Sequence, residues 1–117
     1  MILTITRKQI EPDISVLEMQ GKICMGSASQ EVEWALADLL KQNRKKIIFD
    51  LSGITMLDST GVGIVVMCHA KVKKAGGSLR IAGPNGMVEE TLKMTSVDKI
   101  MPFFPTVMGA SENFQAV

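Results

Sequence analysis

Residues 46–63 read K-I-I-F-D-L-S-G-I-T-M-L-D-S-T-G-V-G, and the order of their parts sets the fold class. Lys46 to Leu51 is a short apolar run without alternation, the mark of a strand covered on both faces in the middle of a parallel sheet. Ser59 to Lys74 is long enough for a helix and is stopped by Gly76-Gly77, a C-terminal glycine signal. Between the apolar run Ile47 to Leu51 and the next one, Ile64 to Cys68, sit an acid, two adjacent hydroxyls and two glycines, Asp58 to Gly63. A buried strand, a polar turn and a helix in succession is the repeating unit of an α/β layer fold.

The flanking chain extends this unit. Leu3 and Ile5 alternate with Thr4 and Thr6 between Ile2 and Lys8, and Ser15 to Gln20 follows Pro12-Asp13, so an antiparallel hairpin is expected. From Gln30, Val32, Ala35, Leu36, Leu39 and Leu40 fall at helical spacing and predict an amphipathic helix to about Asn43, capped by Ser27 or Ser29. Arg44-Lys45-Lys46 reads as the solvated end of that helix leading into the next strand. Ser78 to Ala82 predicts a strand, Gly83 to Gly86 a turn, Met87 to Met94 a short helix and Met101 to Phe104 an edge strand limited by Pro102 and Pro105. A last short helix is expected around 111–116. The order β-β-α-β-α-β-α-β describes one α/β domain over residues 1–117, with a mixed, mainly parallel sheet and right-handed crossovers.

A chain of 117 residues with 13 Lys and Arg against 12 Asp and Glu gives no electrostatic reason to expect nucleic acid or an anionic membrane as partner. The two cysteines, Cys24 and Cys68, form no C-x-x-C pair, and with one histidine they make neither a disulfide framework nor a metal cluster. The N-terminus has no signal-peptide pattern, and no apolar run approaches the ~20 residues of a membrane helix. A cytoplasmic protein is the expectation.

Asp58-Ser59-Thr60-Gly61 admits several chemistries. A nucleophile elbow needs G-x-S-x-G, and Leu57 stands where its first glycine should be. His69 lies ten positions along the same helix, about 15 Å away at 1.5 Å per residue, too far to be a direct base for Ser59. An aspartic-protease turn needs a second carboxylate turn, which is missing. Gly61-x-Gly63 lacks the remaining features of a dinucleotide or P-loop fingerprint. Catalysis is therefore not expected, nor a cofactor. A plain helix cap by Asp58 or Ser59 fits, but it leaves the glycines that follow unexplained.

The helix itself carries more. At 100° per residue Ile64, Val65, Cys68 and Val72 form an apolar arc suited to the sheet, while Val62, Val66, His69 and Lys73 lie on another arc roughly 120° away. That second arc is either a broad core face or an apolar patch left for a partner. If it is a patch, a phosphate on Ser59 would add about −1.5 to −2 charges at its edge. The helix N-terminus tolerates an anion, whereas a partner surface shaped for a neutral hydroxyl does not.

With these residues in order, the chain resembles the STAS domain proteins, and within them the free-standing bacterial anti-sigma factor antagonists, from about Leu3 to Pro105. The resemblance rests on Asp-Ser-Thr-Gly-Val-Gly at 58–63 after the apolar strand, on Gly76-Gly77, on Val88 through Leu92 to Met94-Thr95, and on Lys99-Ile100 before Phe103. It implies a sheet with helices packed mainly on one face, and a binding module without catalytic activity. The implied partners are an anti-sigma factor that is also a serine kinase and a serine phosphatase that reverses the modification; a weak homodimer is a separate expectation for this chain. The implied phosphoacceptor is Ser59, flanked by Asp58, Thr60 and Gly61, and Val62 matches an apolar contact position. Val66, His69, Lys73 and Cys24 complete the expected partner surface. Where such antagonists often carry an acid in a G-x-x-D pattern, this chain has Gly21-Lys22-Ile23-Cys24, which also leaves open a constitutive scaffold or a transporter-bound subunit.

Overall fold

The computed structural model describes residues 2–114. The expected hairpin is present: β1 (Leu3–Ile10) runs antiparallel to β2 (Ile14–Ile23), in register from Leu3 opposite Gly21 to Ile10 opposite Ile14. The chain continues through α1 (Ser27–Lys41), β3 (Lys46–Leu57), α2 (Ser59–Lys74), β4 (Ser78–Ala82), α3 (Gly86–Met94), β5 (Phe103–Phe104) and α4 (Val107–Ser111). The five strands lie in the order β1-β2-β3-β4-β5, with every pair after the first parallel.

Strand alternation divides the core in two. Leu17, Met19, Ile47, Phe49, Leu79 and Ile81 point to the face covered by α1, α2 and α3, where Val32, Leu36, Val65, Cys68, Val88 and Leu92 meet them. Val16, Ile48 and Ala82 point the other way, against Ala110 of α4 and Phe114. Helices thus pack mainly on one face, as expected, and the centre of β3 is buried on both.

Several local expectations are corrected. α1 begins at Ser27 rather than Gln30, and neither Ser27 nor Ser29 caps it: the cap position is Gly26 at φ 113, without a side-chain bond. The Ser29 hydroxyl instead donates to the carbonyl of Cys24 at 2.9 Å, a local bond that competes with capping. At the other end Asn43, at φ 60, closes the helix while Arg44 N donates to Leu39 O at 3.0 Å. The basic run after it is not simply solvated. Arg44 Nε donates to the Ser15 hydroxyl at 2.8 Å, and Lys46 pairs with Asp13 at 2.9 Å. The last helix lies at Val107–Ser111, ahead of the expected 111–116; positions 115 and 116 fall outside the described residues.

The largest difference is the length of β3, which runs to Leu57 instead of stopping at Leu51. Ser52-Gly53 has the composition of a turn, yet Gly53 stays in the ladder opposite Gln20, with the register shifted there. A Cβ at Gly53 would sit 2.7 Å from Gln20 Cγ and 2.9 Å from Met19 O. The glycine therefore permits a close strand approach at a bulge. β4 pairs with β3 only as far as Asp50, so the extra residues carry Asp58 and Ser59 well past the end of the β3–β4 ladder.

Candidate functional site

α2 starts where β3 ends, and Asp58 makes the junction. It caps the helix: Oδ1 accepts from Gly61 N at 2.8 Å, and its carbonyl accepts from Val62 N at 2.9 Å. Its second oxygen, Oδ2, accepts from Met25 N at 3.0 Å, so one carboxylate joins the β2–α1 loop to the start of α2. These bonds favour the charged form and hold the Asp58 pKa below its ordinary 3.8, the Gly61 N–H first and the Met25 N–H second.

A depressed carboxylate contributes stability above its unfolded pKa and loses it as pH falls through the lower folded value. Asp58→Asn keeps one oxygen for Gly61 but has no second acceptor for Met25. We expect it to unfold at lower urea than the wild type at pH 7, and the gap to close as pH drops below 3.8. Urea midpoints at several pH values check this.

Ser59 occupies the first helical position after this cap and is exposed, its hydroxyl unused by the hydrogen bonds of the described residues. Thr60 beside it is half-buried. Gly61 is buried because the helix start lies directly on β2. A Cβ there would run into the carbonyl oxygen of Ile23 and lie 2.6 Å from Leu57 Cδ1. Gly63 is different: it is exposed, and a Cβ would meet nothing within 4 Å. One glycine of the motif is required by packing and the other is not.

The structure brings Cys24, Asp58, Ser59, Thr60 and Gly61 together at one end of the molecule, with Cys24 half-buried next to the Met25 N–H that Asp58 holds. The rest of the expected surface forms a stripe rather than a cluster. Val62 and Val66 are both half-buried and lean against the main core, so this arc is partly core face and only partly open. His69 is half-buried, with Nδ1 lacking a partner among the described residues. Burial, and secondarily Lys73, lowers its pKa below 6.5. Lys73 is exposed near the far end of α2, about 21 Å from Ser59 at the helical rise.

In the arc expected to face the sheet, Val65, Cys68 and Val72 are buried and Ile64 is half-buried against the core, with burial pushing the Cys68 thiol up to about 12. Met25 was not legible as part of the site, because its role uses a backbone N–H that any residue there would supply. Exposed Met25 and Met56 flank the motif. Among the described residues no group of His, Cys, Asp and Glu is placed to hold a metal, and no helix is long and apolar enough to cross a membrane.

The STAS domain model matches residues 6–110. Over 107 residues the chain is 27% identical to a Thermotoga neapolitana protein that carries the name of an anti-sigma factor antagonist homologue, covering 92% of this chain and 95% of that one. Its backbone is similar to the crystal structure of an anti-sigma factor antagonist from Mycobacterium paratuberculosis, with a TM-score of 0.82 at 24% identity over 92% and 90% of the two chains. It is also similar to the Bacillus cell fate determinant in its phosphorylated form, with a TM-score of 0.67 at 15% identity over 86% and 90%; both structural likenesses concern the fold. Sequence pattern, sheet order and family match converge, and the chain belongs to the STAS domain family, similar over nearly its whole length to anti-sigma factor antagonists.

Proposed function

We propose that this chain is an anti-sigma factor antagonist that binds an anti-sigma factor with serine kinase activity, and that phosphorylation of Ser59 switches the binding off. The observation that carries the reading is the position of Ser59, exposed at the first turn of α2 directly after a capping carboxylate. Backbone N–H groups at a helix start tolerate a phosphate within the free protein. On the outer side the same phosphate adds its charge beside Asp58, on the surface that Cys24, Val62, Val66, His69 and Lys73 would share with the partner. Misplaced charge across an interface costs several kcal/mol, and each 1.4 kcal/mol is about tenfold in affinity. A serine phosphatase would restore binding. The domain acts as a binding module, not a catalyst, and its output is bacterial transcription in the cytoplasm.

Incubation with the cognate kinase and ATP, followed by mass spectrometry, tests the site. Phosphate is expected on Ser59, binding is expected to fall at least a hundredfold in Ser59→Asp, and Ser59→Ala should bind without responding to ATP. Phosphate on Thr60 or elsewhere, together with unimpaired binding by Ser59→Asp, would remove the switch.

Cys24, standing where the resemblance expects an acid, favours a second reading as a constitutive scaffold. In that case size-exclusion chromatography of the native complex would show a large assembly unchanged by ATP.

A further inference from the structure

β1 is an edge strand, and its hydrogen bonding sets which backbone groups face outward. The Ile2 carbonyl accepts from Lys22 N at 2.8 Å, and Leu3 stands opposite Gly21. Alternation then turns the backbone groups of Thr4 and Thr6 toward β2 and those of Leu3, Ile5 and Arg7 out of the sheet. Between this edge and α1 lies a groove of about 380 Å³ lined by Leu3, Ile5, Arg7, Glu31 and Trp34. Trp34, the sole tryptophan, is 62% exposed there.

We propose that this edge receives β1 of a second copy of the chain, antiparallel about a two-fold axis at Ile5, joining two five-stranded sheets into one of ten. The charge pattern selects the occupant and the register. Arg7 contacts Asp38 of α1 at 2.7 Å, and α1 runs beside β1, which sets Glu31 level with Leu3 and Trp34 level with Ile5. Pairing about Ile5 places Leu3 opposite Arg7 of the second copy, so that Arg7 comes level with Glu31. Glu31 takes part in no ion pair among the described residues. The symmetry repeats this match at both ends, brings the two Trp34 rings together over the Ile5 pair and leaves no like charges opposed on the strands. It also covers two exposed strand edges at once.

Sedimentation velocity and fluorescence over a dilution series of the whole chain test the proposal, with Trp34 as its own reporter. The expected result is a monomer–dimer equilibrium whose tryptophan emission moves to the blue in step with dimer formation. Glu31→Lys and Trp34→Ala, both surface changes, should each weaken the dimer at least tenfold. A monomer at every concentration would overturn the proposal. So would a dimer with unchanged Trp34 emission, or one equally strong in both variants.

Discussion

Gly61→Ala is expected to lower the stability of this domain by about 3 kcal/mol, at the upper end of what overpacking costs, and to reduce Tm by roughly 10 °C. A helix interior ordinarily gains about 0.5–1 kcal/mol when alanine replaces glycine, so the sign itself is diagnostic. The opposing cost comes from what the methyl group meets, the carbonyl oxygen of Ile23 and Leu57 Cδ1. Ile23 is fixed in the β2–β3 ladder opposite Leu57, so the backbone oxygen cannot swing aside as a flexible side chain would. The start of α2 must lift instead, drawing Asp58 away from Met25. Gly63→Ala is the control, since its Cβ enters open space and the helix should gain stability. Thermal melts of the two variants and of wild type decide between these outcomes; equal stability for both alanines would contradict the close approach at Gly61.

Arg80→Ala should be equally damaging, by about 3 kcal/mol from lost charge-assisted hydrogen bonds and ring contacts. The guanidinium Nη1 donates to the carbonyls of Ala110 and Glu112, each at 2.9 Å, and Nη2 to Asn113 at 3.2 Å. Its carbon lies 4.2 Å from the Phe114 ring centroid and 5.1 Å from that of Phe104. One planar fork thus holds the segment after α4 against the sheet face opposite the three larger helices. Without it the contact of Ala110 and Phe114 with Val16, Ile48 and Ala82 rests on apolar burial alone. Arg80→Lys should not restore the loss, because an ammonium lacks the fork that reaches several carbonyls and the plane that stacks on rings. Hydrogen exchange is the direct measurement. Amides of 107–114 should lose protection in Arg80→Ala while β2 and β3 keep theirs, and a uniform loss across the molecule would contradict a local clasp.

The motif at 58–61 was legible because short-range chemistry governs it: Asp58 caps the helix that begins at the next residue. The end of α2 was legible for the same reason, with Gly76 at φ 85 and Gly77 N returning to Val72 O at 2.9 Å. The length of β3 was not. Ser52-Gly53 looks like a turn in isolation, and only pairing with β2 makes Gly53 the residue that fits close to Gln20. The Ser27 and Ser29 caps failed because a hydroxyl near a helix start has several partners within reach, and Ser29 took the Cys24 carbonyl.

The sequence by itself determined the element order, the doubly buried centre of β3 and the polar junction that opens α2, since each follows from periodicity or from contacts within a few residues. Tertiary structure alone decided how that junction is held and what it exposes. Asp58 reaches 33 positions back to Met25, Gly61 is needed by a strand that ended long before it, and Val62 and Val66 are half-covered by the core. These are distances between segments remote in the chain, and helical spacing cannot say how closely a helix lies on its sheet.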